Sequence, residues 1–476
     1  MKQAELVFVP GPGIGHLVST AEFAKRLLKR DARLAVTILV IRTPITPDVD
    51  AYVESLVTSS ENRIRYIILP LDDPPSVELL KCPENYVTLL IEGQKHCVKE
   101  AIVKHVLSCS RPVVGLVLDF FCTIMIDVAN QLNVPSYLFF PSTAGFLGLM
   151  ICLQNHYEKF GKSFDMLDPD SDIPTYAHPV PSGVLPTVVL DKEIGFECMM
   201  KHGSRFKETK GFIINTFVEL ESYAVDTLAS DKKNPPVYTV GPLLDLKKAS
   251  ASGDESIINW LDTQPDSSVV FLCFGSMGGF EPTQLVQIAI ALERSGQRFL
   301  WSIRQKRAKE KIGIINGFSN LDEILPHGFL ERTQGRGMIC EWAPQVDVLA
   351  HQAVGGFVSH CGWNSILESL WHGVPIATWP IYAEQQINAF EMVKDLGLAV
   401  ELKLDYRSGS GVLVGADEIE KALRSLMDKG NPLRKKVNEM KEKSRKVVVN
   451  GGSSFDCMGS FIEDILSHNL PLVKKQ

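Results

Sequence analysis

Short apolar runs alternate with longer amphipathic segments along most of the 476-residue chain. In the first amphipathic segment, Ala21, Phe23, Ala24, Leu27 and Leu28 recur at the spacing of one helix face. The apolar runs are continuous and do not alternate, as expected of parallel strands that helices cover on both faces. Repeated units of this kind predict an α/β fold with doubly wound parallel sheets. The predicted strands are Leu6–Pro10, Leu34–Ile41, Ile64–Leu69, Val113–Asp119, Ser136–Phe140, Phe212–Asn215, Val269–Phe274, Phe299–Ile303, Gly337–Glu341, Gly356–Ser359, Pro375–Thr378 and Ala399–Leu402.

Two breaks interrupt this pattern. The first, from Gly161 to Pro186, is rich in Asp, Pro and Ser and predicts a surface excursion within the first domain. The second, from Pro235 to Asp254, contains Pro-Pro, Gly-Pro and a polar stretch, a composition that marks domain boundaries. We therefore predict two Rossmann-like domains that face each other across a cleft, over residues 1–240 and 255–476, joined by a linker over 241–254. Closing helices are predicted at Ala416–Met427, Asn431–Val447 and Ser454–Leu466, with the last one free to pack back on the first domain.

Composition excludes several classes of protein. The chain is 45% apolar and its net charge is −7, which is too apolar for a disordered chain and not basic enough for a general nucleic-acid binder. The apolar run before Pro10 is too short for a signal peptide, and the most apolar region, Val113–Ala129, is interrupted by Asp119 and Asp127, so no membrane span is predicted. The ten cysteines lack a C-x-x-C pair and the eleven histidines lack a zinc pattern. These observations predict a cytoplasmic protein that needs no metal.

The first candidate for chemistry follows the first strand, at the sheet edge where ligands of open α/β folds bind. Gly-Pro-Gly-Ile-Gly-His runs into a helix there, and His16 stands where a dinucleotide-binding fingerprint has its last glycine. A neutral histidine is able to accept a proton at this point, and the alternative of a helix-capping or structural histidine stays open. Asp119 ends its strand at the same edge, where a carboxylate can orient the imidazole and stabilise the imidazolium. No G-x-S-x-G elbow supports an α/β-hydrolase.

A glycine-rich loop, Gly275–Gly279, follows the first strand of the second half. Its backbone N–H groups and Ser276 either approach a phosphate or form no more than a tight strand-to-helix turn. The loop lacks the G-K-[ST] ending of a P-loop, so nucleotide hydrolysis is not supported.

The densest set of polar and aromatic candidates runs from Trp342 to Gln386. A predicted strand delivers His-Cys-Gly-Trp-Asn-Ser into a helix, where Asn364 and Ser365 either cap the helix or help it to bind a phosphate. Glu368 suits a ribose diol, and Trp342 offers an indole face on which a base can stack. Each feature alone also has a structural explanation, but together they indicate a nucleotide-sugar site.

These residues resemble the signature box of the plant secondary-product glycosyltransferases, in family 1 of the UDP-glycosyltransferases. The stretch from Trp342 through His-Cys-Gly-Trp-Asn-Ser to Gln385 matches that box over its full length, and the Gly-Ile-Gly-His and Asp-Phe-Phe segments are also similar to the family's. The resemblance covers essentially the whole chain. It implies a GT-B fold, in which two Rossmann-like domains face each other and the second holds most of the nucleotide sugar. Finer details are similar to the subgroup that glucosylates flavonoids, phenolics and triterpenoids.

The resemblance also implies residue roles, with His16 as general base and Asp119 as its orienting partner. The UDP-sugar-binding residues that it implies are Thr143, Ser276, Trp342, Ala343, Gln345, His360, Gly362, Trp363, Asn364, Ser365, Glu368, Glu384 and Gln385. Among them, Gln385 at the close of the box favours UDP-glucose. We expect a mainly apolar acceptor pocket from the first half, with Ile14, Phe120, Phe121, Phe140 and Met199 as candidates. The motifs leave Asp165–Pro186 and Arg304–Leu321 without an interpretation.

The chain is therefore expected to be an inverting O-glucosyltransferase, an enzyme of the hexosyltransferase class. It is expected to use UDP-glucose, to act on a hydroxyl of a small apolar plant metabolite and to form a β-glucoside, as a monomer without metal or cofactor. Two alternatives stay open. A UDP-sugar epimerase or hydrolase would consume the donor without an acceptor, and a silent nucleotide-sugar binding module would consume nothing.

Overall fold

The computed structural model describes residues 3–44, 48–59, 63–109, 111–160, 170–191, 194–246, 255–304 and 321–469. Parts of three segments that the sequence singles out lie outside the described residues. They are 161–169 of the first break, 247–254 of the predicted linker and 305–320 of the loop Arg304–Leu321.

The described strands form two parallel sheets and one short antiparallel pair. They are β1 (Ala4–Val9), β2 (Leu34–Val40), β3 (Ile64–Ile68), β4 (Val113–Asp119), β5 (Ser136–Phe140), β6 (Asp170–Ser171), β7 (Val180–Pro181), β8 (Phe212–Ile214), β9 (Val237–Thr239), β10 (Val269–Cys273), β11 (Arg298–Ser302), β12 (Gly337–Cys340), β13 (Val354–Ser359), β14 (Ile376–Thr378) and β15 (Ala399–Glu401). The first sheet has the order β3-β2-β1-β4-β5-β8-β9 and the second the order β12-β11-β10-β13-β14-β15, while β6 pairs with β7. Every residue of the central strands β1, β10 and β13 is buried. The predicted α/β class with two doubly wound sheets is confirmed.

Helices cover both faces of each sheet. They are α1 (Ile14–Arg30), α2 (Asp48–Ser59), α3 (Pro83–Gly93), α4 (Lys95–Ala101), α5 (Ile126–Gln131), α6 (Ala144–Phe160), α7 (Thr187–Leu190), α8 (Gly195–Gly203), α9 (Ser222–Ser230), α10 (Glu255–Asp262), α11 (Pro282–Ser295), α12 (Phe329–Arg332), α13 (Gln345–Ala350), α14 (Trp363–His372), α15 (Gln385–Phe390), α16 (Ala416–Met427), α17 (Leu433–Lys446) and α18 (Ser453–Asn469). In α1 the residues at helical spacing, Leu17, Ala21, Ala24 and Leu28, are buried. Arg30 lies in its last turn, where the helix dipole favours positive charge.

All twelve predicted strands are present within a few residues of their predicted ends, but three short strands were missed. The pair β6 and β7 has two residues in each strand, too few for an apolar run to show in the sequence. The strand β9 lies at the start of the second break, Pro235–Asp254, whose composition gave no sign of a strand. It pairs in parallel with β8 at the edge of the first sheet. The bounds of the two domains stay a prediction.

In each sheet the strand order reverses beside the first strand of that half, between β1 and β4 and between β10 and β13. Ligands of open α/β sheets bind outside the carboxyl ends of the strands at such a switch point. The loops that leave these ends include Gly11–Gly13 after β1 and Gly275–Gly279 after β10. Residues 120–125 after β4 and 360–362 after β13 complete them. The topology thus places all four candidate loops at the two switch points.

The last helix lies on the first sheet, although the chain has completed the second sheet before it. Phe461 of α18 packs its ring against Phe23, Tyr137 and Tyr238, at centroid distances of 6.0, 5.2 and 5.3 Å. The hydroxyl of Tyr238 also bonds to Asp464 of α18. The apolar face of the last helix is therefore buried in the core of the first half.

The described part of the first break, residues 170–186, contacts the second half. His178 Nδ1 lies 2.7 Å from Asp395 Oδ1, and the N–H of Ala177 donates to the other oxygen of Asp395 at 3.0 Å. Beside this contact, Glu221 of the first half and Glu391 of the second are both almost fully buried. Burial and the charge of Glu221 raise the pKa of Glu391 well above its usual range. The segment that the motifs left without an interpretation is part of the interface between the halves.

Candidate functional site

His16 and Asp119 meet at the switch point of the first sheet. The ring Nδ1 of His16 lies 2.7 Å from Asp119 Oδ2, and the carboxylate is fully buried, whereas the His16 side chain is 29% exposed. Asp119 Oδ1 accepts the backbone N–H of Phe121 at 3.1 Å, which holds the carboxylate in place at the start of a 3₁₀ turn. With Nδ1 donating to Asp119, the ring nitrogen Nε2 is left to accept a proton.

The electrostatics of the pair favour proton uptake by His16. Burial by itself lowers the pKa of His16, but the charge of Asp119 and its hydrogen bond, with a contribution from Glu384, raise that pKa above its usual value of 6.5. The imidazolium that forms on proton transfer is therefore stabilised by a carboxylate already in contact with the ring.

Gly11 explains why the loop after β1 is rich in glycine. A Cβ at Gly11 would stand 2.8 Å from Asp119 Oδ1 and 3.2 Å from His16 Nδ1. Contacts of 2.8 Å to a fixed carboxylate are not tolerated by a side chain, so only a glycine lets the backbone pass this close to the pair.

At the second switch point, His360 lies between two glycine loops. A Cβ on Gly275 or on Gly362 would each stand 2.6 Å from His360 Nε2. His360 is 7% exposed, and burial lowers its pKa to about 4. A neutral His360 is able to donate one hydrogen bond to a phosphate but brings no positive charge to it. The exposed Ser276 lies in the loop beside this ring.

The start of α14 binds the two halves to each other. The indole N–H of Trp363 donates to the carbonyl of Asn215 at 2.7 Å. The amide of Asn364 donates to the carbonyl of Gly15 at 3.3 Å and accepts from the hydroxyl of Ser19 at 3.2 Å. Trp363 was predicted to help bind the sugar, and because its indole N–H is already engaged, its side chain offers only the face or edge of its ring there.

Trp342 is the large side chain of the predicted site that stands most open, with 61% of its surface exposed. The guanidinium carbon of Arg304 lies 4.5 Å from the centre of the indole ring, at a distance typical of cation–π contacts. Arg304 also donates to the carbonyl of Ser276 at 2.6 Å. Arg304, which the motifs did not single out, thus links the indole to the glycine-rich loop.

Gln345, Ser365 and Glu368 form one hydrogen-bonded group at the base of α14. The amide nitrogen of Gln345 lies 2.8 Å from the hydroxyl of Ser365 and 2.6 Å from Glu368 Oε2. Burial raises the pKa of Glu368 to about 7, and the bond from Gln345 opposes that rise. Ala343 is buried at the start of the same region. The geometry agrees with a carboxylate held ready to accept hydroxyl donors.

The end of the predicted box approaches His16 through Glu384. Burial raises the pKa of Glu384, while the charge of His16 and hydrogen bonds from Asn388 and Ser142 act to lower it. Gln385 is 3% exposed, and its side-chain oxygen accepts the N–H groups of residues 381 and 382 at 2.9 and 3.1 Å. Only the amide nitrogen of Gln385 remains for any contact with a ligand.

One predicted residue, Thr143, does not face this site. It is fully buried, and its hydroxyl accepts the N–H of Phe146 at 2.8 Å, so it caps the start of α6. The neighbouring Ser142 lines the cavity beside His16 instead. The turn into α6 points these two successive side chains in different directions, and the role of Thr143 in binding the UDP-sugar stays a prediction.

A cavity of about 220 Å³ lies beside His16, between the two halves. Most of its apolar lining comes from the first half and includes Phe120, Phe121, Phe146, Val188 and Met199, while the second half adds Trp363 and Ala383. Its polar lining includes Glu84, Ser142, Asn364 and Glu384. A larger open groove of about 850 Å³ between α1 and α18 contains none of the predicted site residues.

Three of the five acceptor candidates, Phe120, Phe121 and Met199, line this cavity, and two do not. Phe140 is fully buried beneath Phe120, with the ring centres 5.1 Å apart, and Ile14 is outside the lining. The sequence did not predict Glu84, Phe146 and Val188, among others, as lining residues. Phe146 was predictable, since it follows β5, the strand beside β4. No motif marked the other two.

Within the described ranges, no group of three or more His, Cys, Asp or Glu side chains is arranged to hold a metal ion. In the same part of the chain, no helix combines the length and apolarity that crossing a membrane requires. All ten cysteines are free.

Residues 245–440 match the family described as "UDP-glucoronosyl and UDP-glucosyl transferase". The chain is 50% identical to UDP-glycosyltransferase 71K1 of Malus domestica, over 98% of this chain and all of the relative. It is 48% identical to a putative UDP-glucose flavonoid 3-O-glucosyltransferase 3 of Fragaria ananassa, with the same coverage. The crystal structure of UGT71G1 from Medicago truncatula, complexed with UDP-glucose, superposes with a TM-score of 0.88, at 49% identity over 97% of this chain and 98% of that one. The chain therefore belongs to the UDP-glycosyltransferase family, has the GT-B fold of its structural neighbours, and is a glycosyltransferase that uses a UDP-sugar.

Proposed function

We propose that this enzyme transfers glucose from UDP-glucose to a hydroxyl of a small phenolic plant metabolite, with inversion to a β-glucoside. The observation that carries the proposal is the contact of 2.7 Å between His16 and Asp119 in the wall of a cavity that Asn364 and Glu384 also line. One cavity thus combines a base with residues of the half that matches the family's nucleotide-sugar site. The bound UDP-glucose in the Medicago truncatula relative supports the choice of donor.

In the proposed reaction, His16 Nε2 takes the proton of the acceptor hydroxyl as its oxygen attacks the anomeric carbon. A phenol has a pKa of about 10 and a histidine about 6.5, so full deprotonation before attack is unfavourable and the two events are concerted. Asp119 holds the ring and stabilises the imidazolium. The bond to UDP breaks as the new bond forms on the opposite face of the sugar, which gives the inverted product.

The departing diphosphate gains negative charge. We propose that the chain stabilises this charge without a metal. The amino end of α14, a helix of ten residues, presents free N–H groups beside Ser365. Arg304 supplies a positive charge next to the Ser276 loop. We further propose Trp342 as the surface for uracil, and Glu368 with Gln345 as the group that binds the ribose. Glu384 and Gln385 would meet the glucose hydroxyls.

The acceptor cavity supports a small flat phenolic. At about 220 Å³ it is below the usual range of 300–1,000 Å³ for sites of drug-sized ligands, and its apolar lining is rich in phenylalanine. The name of the Fragaria ananassa relative supports a flavonoid, and the small volume of the cavity disfavours a bulky triterpenoid. The ten free cysteines suit the reducing cytoplasm, and we propose a monomer because one chain supplies both sides of the cavity.

The direct test measures UDP release from UDP-glucose with and without a panel of flavonols, simple phenols and triterpenoids. We expect release that depends on an acceptor, and a β-anomeric signal in the NMR spectrum of the product. Release without any acceptor would instead indicate a hydrolase, and conversion of the sugar without UDP release would indicate an epimerase. No turnover with any acceptor would favour a binding module.

Replacing Trp342 with alanine is expected to weaken UDP binding by about 10- to 100-fold, since base stacking contributes ~1–3 kcal/mol. Isothermal titration with UDP measures this loss. Trp371→Ala is the matched control. The guanidinium carbon of Arg445 lies 5.5 Å from the centre of the Trp371 ring, so this indole also has a cation–π contact, but it lies at the other end of α14. Equal affinities of the Trp342 variant and the unchanged chain would exclude stacking on this indole.

A further inference from the structure

Glu84 is a carboxylate in the acceptor cavity that the proposed reaction does not use. It comes from the first turn of α3, whereas the other carboxylate of the lining, Glu384, comes from the second half. Glu84 therefore lies on the side of the cavity that the first half builds, in the same lining as His16.

The contacts of Glu84 leave most of its hydrogen-bonding capacity unused among the described residues. A carboxylate has about four acceptor positions. Glu84 receives a bond from its own backbone N–H, and the thiol of Cys82 lies 3.9 Å from its Oε2, which is a weak contact. Burial raises the pKa of Glu84. Glu84 is half-buried, so its remaining acceptor positions are open to a donor from a ligand in the cavity.

The surroundings of Glu84 define what such a ligand is. Phe120, Phe121, Val188 and Met199 line the same cavity and contact the flat apolar part of an acceptor. His16 takes the reacting hydroxyl, and the donor side is closed by Asn364. Because Glu84 lines the same cavity, its carboxylate is available to a second polar group of that acceptor.

We infer that Glu84 determines acceptor specificity: its carboxylate accepts a hydrogen bond from a second hydroxyl or N–H of the acceptor while the first hydroxyl lies at His16. The inference rests on the proposed function. This hydrogen bond favours acceptors with two separated donors over monohydroxylated ones. The charge of Glu84 disfavours acceptors with a carboxylate at the second position because like charges repel.

The test compares two acceptors of matched shape, naphthalene-2,6-diol and 6-methoxy-2-naphthol, in which methylation removes the second donor. A hydrogen bond to a charged group contributes enough to expect kcat/KM to be about 10- to 100-fold higher for the diol, beyond the factor of about two for its two equivalent hydroxyls. In Glu84→Leu the ratio is expected to fall to about two. Glu84→Gln keeps an acceptor oxygen and is expected to retain part of the preference.

Glu92→Gln is the control, since Glu92 lies on the same helix but is paired with Lys201. The control is expected to keep the ratio of the unchanged chain. The affinity for UDP, measured for every variant, is expected to stay constant and shows that the variants are folded. An unchanged ratio in Glu84→Leu, or equal losses for both acceptors, would overturn the inference while glucoside formation by the unchanged chain upheld the proposed function. If the unchanged chain glucosylates no acceptor, the proposed function itself fails.

Discussion

Replacing His16 with alanine is expected to slow glucoside formation by about 10²- to 10⁴-fold, while UDP binds with nearly its original affinity. The ring is the group in the cavity that is placed to accept the acceptor's proton, with its Nδ1 held by Asp119 at 2.7 Å. Without it, attack requires an acceptor that is already ionised, and a phenol of pKa about 10 is rarely ionised at neutral pH. Acceptor-dependent UDP release measures kcat/KM, and titration with UDP measures the donor site separately.

The chain offers a matched control for this variant. His178 forms the same contact with Asp395, also 2.7 Å, but its side chain is 59% exposed and lies outside the cavity. His178→Ala is expected to change kcat/KM by no more than about twofold, as for other surface substitutions. A His16→Ala enzyme that transfers glucose at nearly the original rate would show that another group is the base.

Replacing Asp119 with asparagine is expected to lower kcat/KM by about 10²-fold or more, because an amide neither carries the charge that stabilises the imidazolium nor fixes the tautomer as firmly. The substitution preserves volume in a fully buried position and leaves an oxygen for the N–H of Phe121. Rates across a range of pH measure both the loss and its cause.

The pH dependence of kcat/KM is expected to shift in a definite direction in Asp119→Asn. His16 acts as a base only when neutral, and its pKa is raised above 6.5 in the unchanged chain, so kcat/KM falls as the pH drops through that raised pKa. In Asp119→Asn, burial lowers the pKa of His16 and only the smaller contribution of Glu384 opposes it, so the acidic limb moves to lower pH. Stability follows the same linkage. The raised pKa stabilises the folded state below pH 6.5, and this contribution disappears as the pH rises through the folded pKa, so the variant loses more stability in acid than in base.

Asp395→Asn provides the comparison for Asp119→Asn, since it removes the carboxylate from a second histidine–aspartate contact of the same length. We expect no displacement of the acidic limb in this control. An acidic limb that stays at the same pH in Asp119→Asn would mean that the titrating group is not His16.

The contact between His16 and Asp119 was predictable because it depends on a general property of parallel sheets. Carboxyl ends of neighbouring strands meet at one edge, so the residues that follow β1 and end β4 lie close whatever the rest of the chain does. The same rule brings the Gly275 loop to His360. Continuous apolar runs likewise determine the strands, since burial on both faces leaves a mark on nearly every residue.

That rule does not determine which side chains face the cavity, as three residues show: Thr143, Phe140 and Glu84. Whether a side chain near a strand end faces the cavity depends on the turn that follows, and Thr143 turns inward to cap α6 while Phe140 lies beneath Phe120. Glu84 reaches the cavity because α3 packs beside it, and the order of residues does not encode that packing. The indole N–H of Trp363 is engaged by Asn215, a partner 148 positions away in the other half.

The sequence by itself thus determined the class of fold, twelve of the fifteen described strands, the contact between His16 and Asp119, and the family through one uninterrupted box of residues. Only the tertiary structure decided which side chains line the cavity beside His16, how α18 returns to the first sheet and how Ala177 and His178 join the two halves. The physical reason is the distance along the chain over which the interactions act. Strand periodicity and the edge of a parallel sheet are local properties of the backbone, whereas the cavity is built by loops and helices whose positions depend on packing between distant parts of the chain.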